Sequence, residues 1–278
     1  MKSFTSLSRS MSTDPRRQIR FLTALTGALL VAFFLAPNAL ARSSVNTANV
    51  GDSFRRGFVA YWASGSEDFP ALLGTTVSYW FRFHLVKAGV SALLLAVAVG
   101  LGVVLWRRGR QQIERRSHRL PVTWAGSLVG VLGIFALVAL MANLQGAAAP
   151  FASLLPMLTT GGADGELTQS LAQARQQLAV YPDGQRSPAL SVMISDFAVY
   201  HAAFAVMAAL LALAMASASA LLWRQLKTSP ERQSRRAPKF GFTASAVLTA
   251  AALVVAFANT TSAADSPRAL ADFFAGGW

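Results

Sequence analysis

Glu114-Arg-Arg-Ser-His-Arg-Leu-Pro121 returns 117 positions later as Glu231-Arg-Gln-Ser-Arg-Arg-Ala-Pro238. Both stretches are polar, so the agreement is not a by-product of two alanine- and leucine-rich helices resembling each other. Working outward at the same offset, Leu105-Trp106-Arg107 matches Leu222-Trp223-Arg224, and Ser78 and His84 match Ser195 and His201. Pro70-Ala71-Leu72 matches Pro188-Ala189-Leu190 with one gap. Ala142-Asn143 matches Ala258-Asn259, and Leu154 matches Leu270, at an offset of 116. Each polar stretch is flanked by two apolar runs, so the pattern reads as one helical hairpin written twice. Two spans per copy give both copies the same orientation, with a pseudo-two-fold axis along the membrane normal.

The apolar runs lie at about 86–106, 122–146, 197–223 and 241–261, each near the roughly 20 residues that a bilayer crossing requires. Of all residues, 54% are hydrophobic and 13% charged, about half the charge of a soluble chain. The expectation is an all-α integral membrane protein: a four-helix transmembrane bundle from two parallel hairpin repeats, plus an N-terminal signal anchor or signal peptide. The divisions are 1–41 for the N-terminus, 42–160 for the first copy and 161–278 for the second.

A net charge of +13 would ordinarily point to nucleic acid, but its distribution excludes that partner. The excess is concentrated in three blocks that abut apolar runs. Residues 1–20 form the first. Arg107, Arg108, Arg110, Arg115, Arg116 and Arg119 form the second, and Arg224, Lys227, Arg232, Arg235, Arg236 and Lys239 the third. Positive charge beside spans marks cytoplasmic loops, so the expected location is a bacterial plasma membrane, crossed several times. The N-terminus starts inside and the C-terminus lies outside. Contact with the bilayer's anionic lipid headgroups follows from the same charge. The chain has no cysteine, which excludes disulfides, thiolate metal sites and cysteine nucleophiles.

The run Phe21–Ala41 follows Arg16-Arg17 and ends in Ala39-Leu40-Ala41. That layout suits both a signal peptide and an uncleaved anchor. Either way residue 42 emerges outside. Beyond it, Phe54, Phe58, Tyr61 and Trp62 share a helical face after Asp52, and Leu167, Leu171, Leu178 and Tyr181 share another after Asp164. These read as amphipathic helices on the membrane or over the bundle, with aromatics at headgroup depth. Ala147–Leu158, broken by Pro150 and Pro156, is expected to re-enter or lie in the interface, and Phe273, Phe274 and Trp278 to anchor there. Small residues at Ala208, Ala212, Ala216 and Ala220, and at Gly126 and Gly130, suit close helix packing.

Tyr79-Trp-Phe-Arg-Phe-His-Leu-Val-Lys-Ala88, Met141-Ala-Asn-Leu-Gln-Gly-Ala-Ala-Ala-Pro-Phe151 and Ala271-Asp-Phe-Phe-Ala-Gly-Gly-Trp278 resemble a family of actinobacterial membrane proteins with a twin-arginine-like N-terminus. The resemblance covers residues 45–278. It implies a bacterial source and no particular chemistry.

One constellation has chemical potential. His84 and His201 each precede a loop tryptophan by 22 residues, and Asn143 and Asn259 follow the loop prolines by 22 and 21. At 1.5 Å per residue these stretches span about 33 Å, which puts all four at one depth near the outer interface. Two imidazoles across an axis can ligate haem b or a metal, with the asparagines orienting the rings. The competing role is capping of helices at the interface, where polar side chains meet water. Asp196 beside this level is positioned to pair with Arg82 or tune His201. His118 sits among arginines in a loop. HExxH, Walker, GxSxG and dinucleotide motifs are absent. The expected function is a non-enzymatic accessory or binding subunit of the bacterial envelope, part of a larger membrane complex. A haem or metal redox protein, or a small transporter or channel, is the alternative.

Overall fold

The computed structural model describes residues 15–114, 120–159, 165–184, 187–228 and 236–277. Among them every regular element is an α-helix. In chain order these are α1 (Pro15–Ala41), α2 (Val50–Ser64), α3 (Ala71–Glu114), α4 (Leu120–Ala148) and α5 (Pro150–Leu154). They continue as α6 (Pro156–Thr159), α7 (Gly165–Ala179), α8 (Pro188–Thr228), α9 (Arg236–Ala264) and α10 (Ser266–Phe274). By length and composition α1, α3, α4, α8 and α9 can cross a membrane, and we read the chain as a multi-pass membrane protein.

Hydrocarbon offers no partner to a backbone N–H or C=O, so a crossing segment must bond internally as a helix. The outer surface of the five helices shows the consequence. Large apolar side chains stay exposed from Phe21 to Leu40 on α1, Phe81 to Trp106 on α3 and Trp124 to Leu144 on α4. The same holds from Val199 to Trp223 on α8 and Phe240 to Phe257 on α9. At 1.5 Å per residue each stretch is about 25–38 Å long, close to the roughly 30 Å hydrocarbon core. Trp124 and Phe257 are 72% exposed, a burden that water would not tolerate over such a length. Lipid is the natural contact for this surface.

The chain divides into two compact units. One combines α1 up to Pro37 with Lys87–Leu140 of α3 and α4. Its centre is Phe33, Leu94 and Ala136, and the Lys87 ammonium sits 4.4 Å from the Phe33 ring centre, within cation–π range.

The other unit combines Asn38–Val86 with Met141–Trp278. Here α8 and α9 pack against each other, and Ala205, Ala208 and Ala212 of α8 are buried. The hydroxyls of Ser219 and Ser245 meet at 2.7 Å between them, a polar clasp of the kind that joins membrane helices. Ala216 and Ala220, expected in the same stripe, are exposed. So are Gly126 and Gly130 of α4, where an added Cβ would meet nothing within 4 Å among the described residues.

This unit also holds a core of a different kind. Phe54, Phe58, Tyr61 and Trp62 of α2 are buried together with Phe151 and Leu154 of α5, and with Leu167, Leu171, Ala174 and Leu178 of α7. Ala189, Leu190, Met193 and Phe197 from the start of α8, and Leu270, Phe273 and Phe274 of α10, complete it. Phe151 is central, its ring 5.0 Å from Phe69 and 5.9 Å from both Phe54 and Tyr61. Burial, with Glu67 and Asp68 nearby, pushes the Tyr61 phenol up to about 12.

Three sequence expectations change as a result. The aromatic face of α2 and the pair Phe273–Phe274 are buried in protein instead of facing headgroups. The stretch 147–158 is not one continuous helix. Its prolines open two short helices instead, since Pro fits a first helical turn where the missing N–H is not needed. The helix α2 also begins earlier than Asp52: Asn49 is its N-cap residue and Asp52 sits in the first turn. Asp164 and Trp278 lie outside the described residues.

Emptying the centre of this core should cost far more than trimming the lipid-facing surface. Phe151→Ala is expected to destabilise by about 3–5 kcal/mol, while Phe257→Ala costs under about 1 kcal/mol because lipid replaces the lost contacts. Thermal unfolding of both variants in nanodiscs measures the difference.

Candidate functional site

The four residues placed at one depth by counting come together as two pairs. His84 of α3 meets Asn143 of α4, Nδ1 to Oδ1 at 2.9 Å. His201 of α8 meets Asn259 of α9 with the same atoms at the same 2.9 Å. Each pair therefore ties the two long helices of one hairpin together at the end of their exposed apolar stretches. The Asn259 amide nitrogen donates to the Val255 carbonyl at 2.9 Å, so its Oδ1 faces the ring as acceptor. His201 then donates from Nδ1, which in the neutral imidazole leaves the lone pair on Nε2.

The rings rest in matching aromatic settings that the sequence reading passed over. Trp80 and Phe83 flank His84, at 4.9 Å and 5.9 Å between ring centres. Phe197 and Tyr200 flank His201, at 4.6 Å and 5.5 Å. An aromatic residue four positions before and another one position before each histidine is the signal that was available. Trp80 is itself held by its indole N–H, which donates to Ser153 Oγ at 2.9 Å.

The pairs differ in what lies beneath the ring. A Cβ on Gly146 would come within 2.6 Å of the His84 Cε1 and Nε2, so α4 presses its bare backbone against that imidazole. At the corresponding position below His201 stands Ser262, and there the space is open. His201, Ser262 and Asp272 line a cavity of about 570 Å³.

Asp196 does something other than either expected role. Its carboxylate accepts the Ala152 N–H at 2.7 Å and a second bond from the Phe151 N–H. Those donors belong to the first turn of α5, whose own N-cap, Ala149, has no side chain able to cap. Asp196 supplies the missing acceptor from α8, where helix N–H groups and dipole both favour a carboxylate. Nearby, Gln145, which the sequence reading overlooked, is buried and donates to the Tyr200 carbonyl at 3.3 Å.

The basic residues that can be placed occupy helix ends. Arg107, Arg224, Lys227 and Lys239 are exposed and Arg108 is half-buried. Arg110 and Arg236 lie in α3 and α9. Arg115, Arg116, Arg119, Arg232, Arg235 and His118 lie outside the described residues.

Among the described residues no three His, Cys, Asp or Glu side chains are grouped to hold a metal ion. The imidazole of His84 abuts α4, so ligation of an iron by its Nε2 would require that helix end to move. No family model, characterised protein or solved structure matches the chain.

Asp196→Ala should cost about 1–2 kcal/mol, the usual loss of a helix-capping acceptor, with a smaller loss for Asp196→Asn, which keeps one acceptor. Thermal midpoints of the purified variants report this. Equal midpoints for all three chains would contradict the capping role.

Proposed function

We propose that the chain is a non-enzymatic accessory or binding subunit of a larger complex in the bacterial plasma membrane, the resemblance to the actinobacterial family bearing on the bacterial source alone. In this reading it is a duplicated hairpin that carries a protein-packed cap on the outer side. The basic helix ends face the cytoplasm, beside anionic headgroups, and α10 lies outside.

Element boundaries support the duplication. α3 starts at Ala71 and α8 at Pro188, 117 positions on. α4 and α9 are each 29 residues long and offset by 116 at both ends. α2 and α7 are each 15 residues long and offset by 115. α5 and α10 begin 116 apart, each with proline in its first turn. The recurring 2.9 Å His–Asn bond fits the same scheme. Retention of α1 as an anchor is supported by Phe33, packed on Leu94 and Ala136, and by Ala41, which is 1% exposed within the aromatic core.

The observation that carries the functional reading is how the polar groups of the aromatic core are used. Trp62 donates to Gln173, Trp80 to Ser153, and Asp196 receives α5. Each holds one element on another, and none is arranged as nucleophile, base and oxyanion donors would be. The exposed Gly126 and Gly130 leave α4 a surface on which a second membrane helix can approach closely.

The chain purified in mild detergent from native membranes should carry a reproducible set of partner proteins, and Gly130→Leu should reduce their yield by about tenfold, as expected when close helix approach is blocked. Recovery of the wild-type chain as a single, partner-free species from cross-linked native membranes would sink this reading.

A further inference from the structure

We infer that the cavity beside His201 binds an amine-bearing cation. It is bounded by Phe197 and His201 of α8, Ser262 of α9, and Asp272, Phe273 and Gly277 at the end of the chain, with a volume of about 570 Å³. The polar side chains on this lining are all acceptors. As a neutral imidazole His201 spends its N–H on Asn259 and presents Nε2 as a lone pair. Ser262 spends its O–H on the Ala258 carbonyl at 3.1 Å, which leaves its oxygen as an acceptor. Asp272 contributes an exposed carboxylate.

The backbone adds no donor from the closing turn. Gly276 takes φ +86°, the left-handed conformation that ends helices. The Gly277 and Ala275 N–H groups turn back to the Asp272 carbonyl, at 2.9 Å and 3.1 Å. A site made of acceptors beside a carboxylate is complementary to a cation that donates hydrogen bonds, and such charge-assisted bonds are the stronger kind. Phe197 and Phe273 supply apolar wall for the carbon skeleton next to the charge. One imidazole and one carboxylate are too few to hold a metal, so the class is an organic ammonium.

The site lies where the exposed apolar stretches of α8 and α9 end, at Val199 and Phe257. The headgroup amine of a lipid and a free alkylamine both reach that depth. Among the described residues the second hairpin offers the space, whereas Gly146 backs the His84 ring in the first. One site per chain follows. None of this depends on the accessory-subunit reading, and the test uses the isolated chain.

Native mass spectrometry of the full chain in detergent, titrated with phosphatidylethanolamine, phosphatidylcholine of the same acyl chains, and octylammonium, tests the site. The wild type should hold one phosphatidylethanolamine at least about tenfold more tightly than phosphatidylcholine, which keeps the charge but lacks N–H donors. Asp272→Asn and the cavity-filling Ser262→Val should each remove that preference, while Asp265→Asn leaves it intact. Octylammonium that displaces the lipid assigns the site to amines in general, and lipid binding that octylammonium does not disturb assigns it to the headgroup. Equal retention of the two lipids by the wild type, or a preference that survives both Asp272→Asn and Ser262→Val, overturns the inference.

Discussion

Hydrocarbon cannot hydrogen-bond a peptide group, and every other feature of this chain is arranged around that fact. Five helices carry their backbone bonds internally and leave leucine, valine, phenylalanine and tryptophan on their outer faces for the length of a bilayer. Several polar groups within those lengths are satisfied locally. Ser219 and Ser245 clasp each other, while Thr26, Ser91 and Thr249 return their hydroxyls to the carbonyl four residues back. Charge gathers at the ends of the helices, where water begins.

The same constraint sets the second kind of structure. α3 has 44 residues and α8 has 41, so at 1.5 Å per residue they are about 60–66 Å long and outrun the bilayer by several turns. Outside hydrocarbon, apolar side chains regain a reason to associate, because water penalises their exposure. The first turns of α8 accordingly enter a core with α2, α5, α7 and α10. The His–Asn pairs stand at the change of regime, where an imidazole can meet a neighbouring helix without crossing lipid.

The long apolar helices were legible from counting, and so was the shared level of each histidine and the asparagine it meets, since a helix rises by a fixed amount per residue. Counting does not specify rotation about the helix axis, and so it did not show that each histidine turns to the asparagine of its own hairpin. The cap was illegible for another reason. Aromatic residues at helical spacing suit a membrane surface as well as a protein core, and what distinguishes the two is the partner. For Phe54 that partner is Phe151, and for Trp62 it is Gln173, both about a hundred residues away. Asp196 misled in the same manner: its partners are backbone N–H groups, which no residue pattern announces. The difference between the two hairpins rests on single residues, Gly146 in one and Ser262 in the other, which a search for likeness passes over.

The boundary between lipid-facing helix and protein-packed cap is the centre of this picture, and tryptophan fluorescence in brominated lipid reads it directly. Trp62 lies in the buried face of α2, whereas Trp106 is exposed at the end of the α3 apolar stretch. In vesicles of brominated phosphatidylcholine, a chain retaining only Trp106 should be strongly quenched and a chain retaining only Trp62 should not. Quenching of Trp62 as strong as that of Trp106 would return α2 to the membrane surface and contradict the cap.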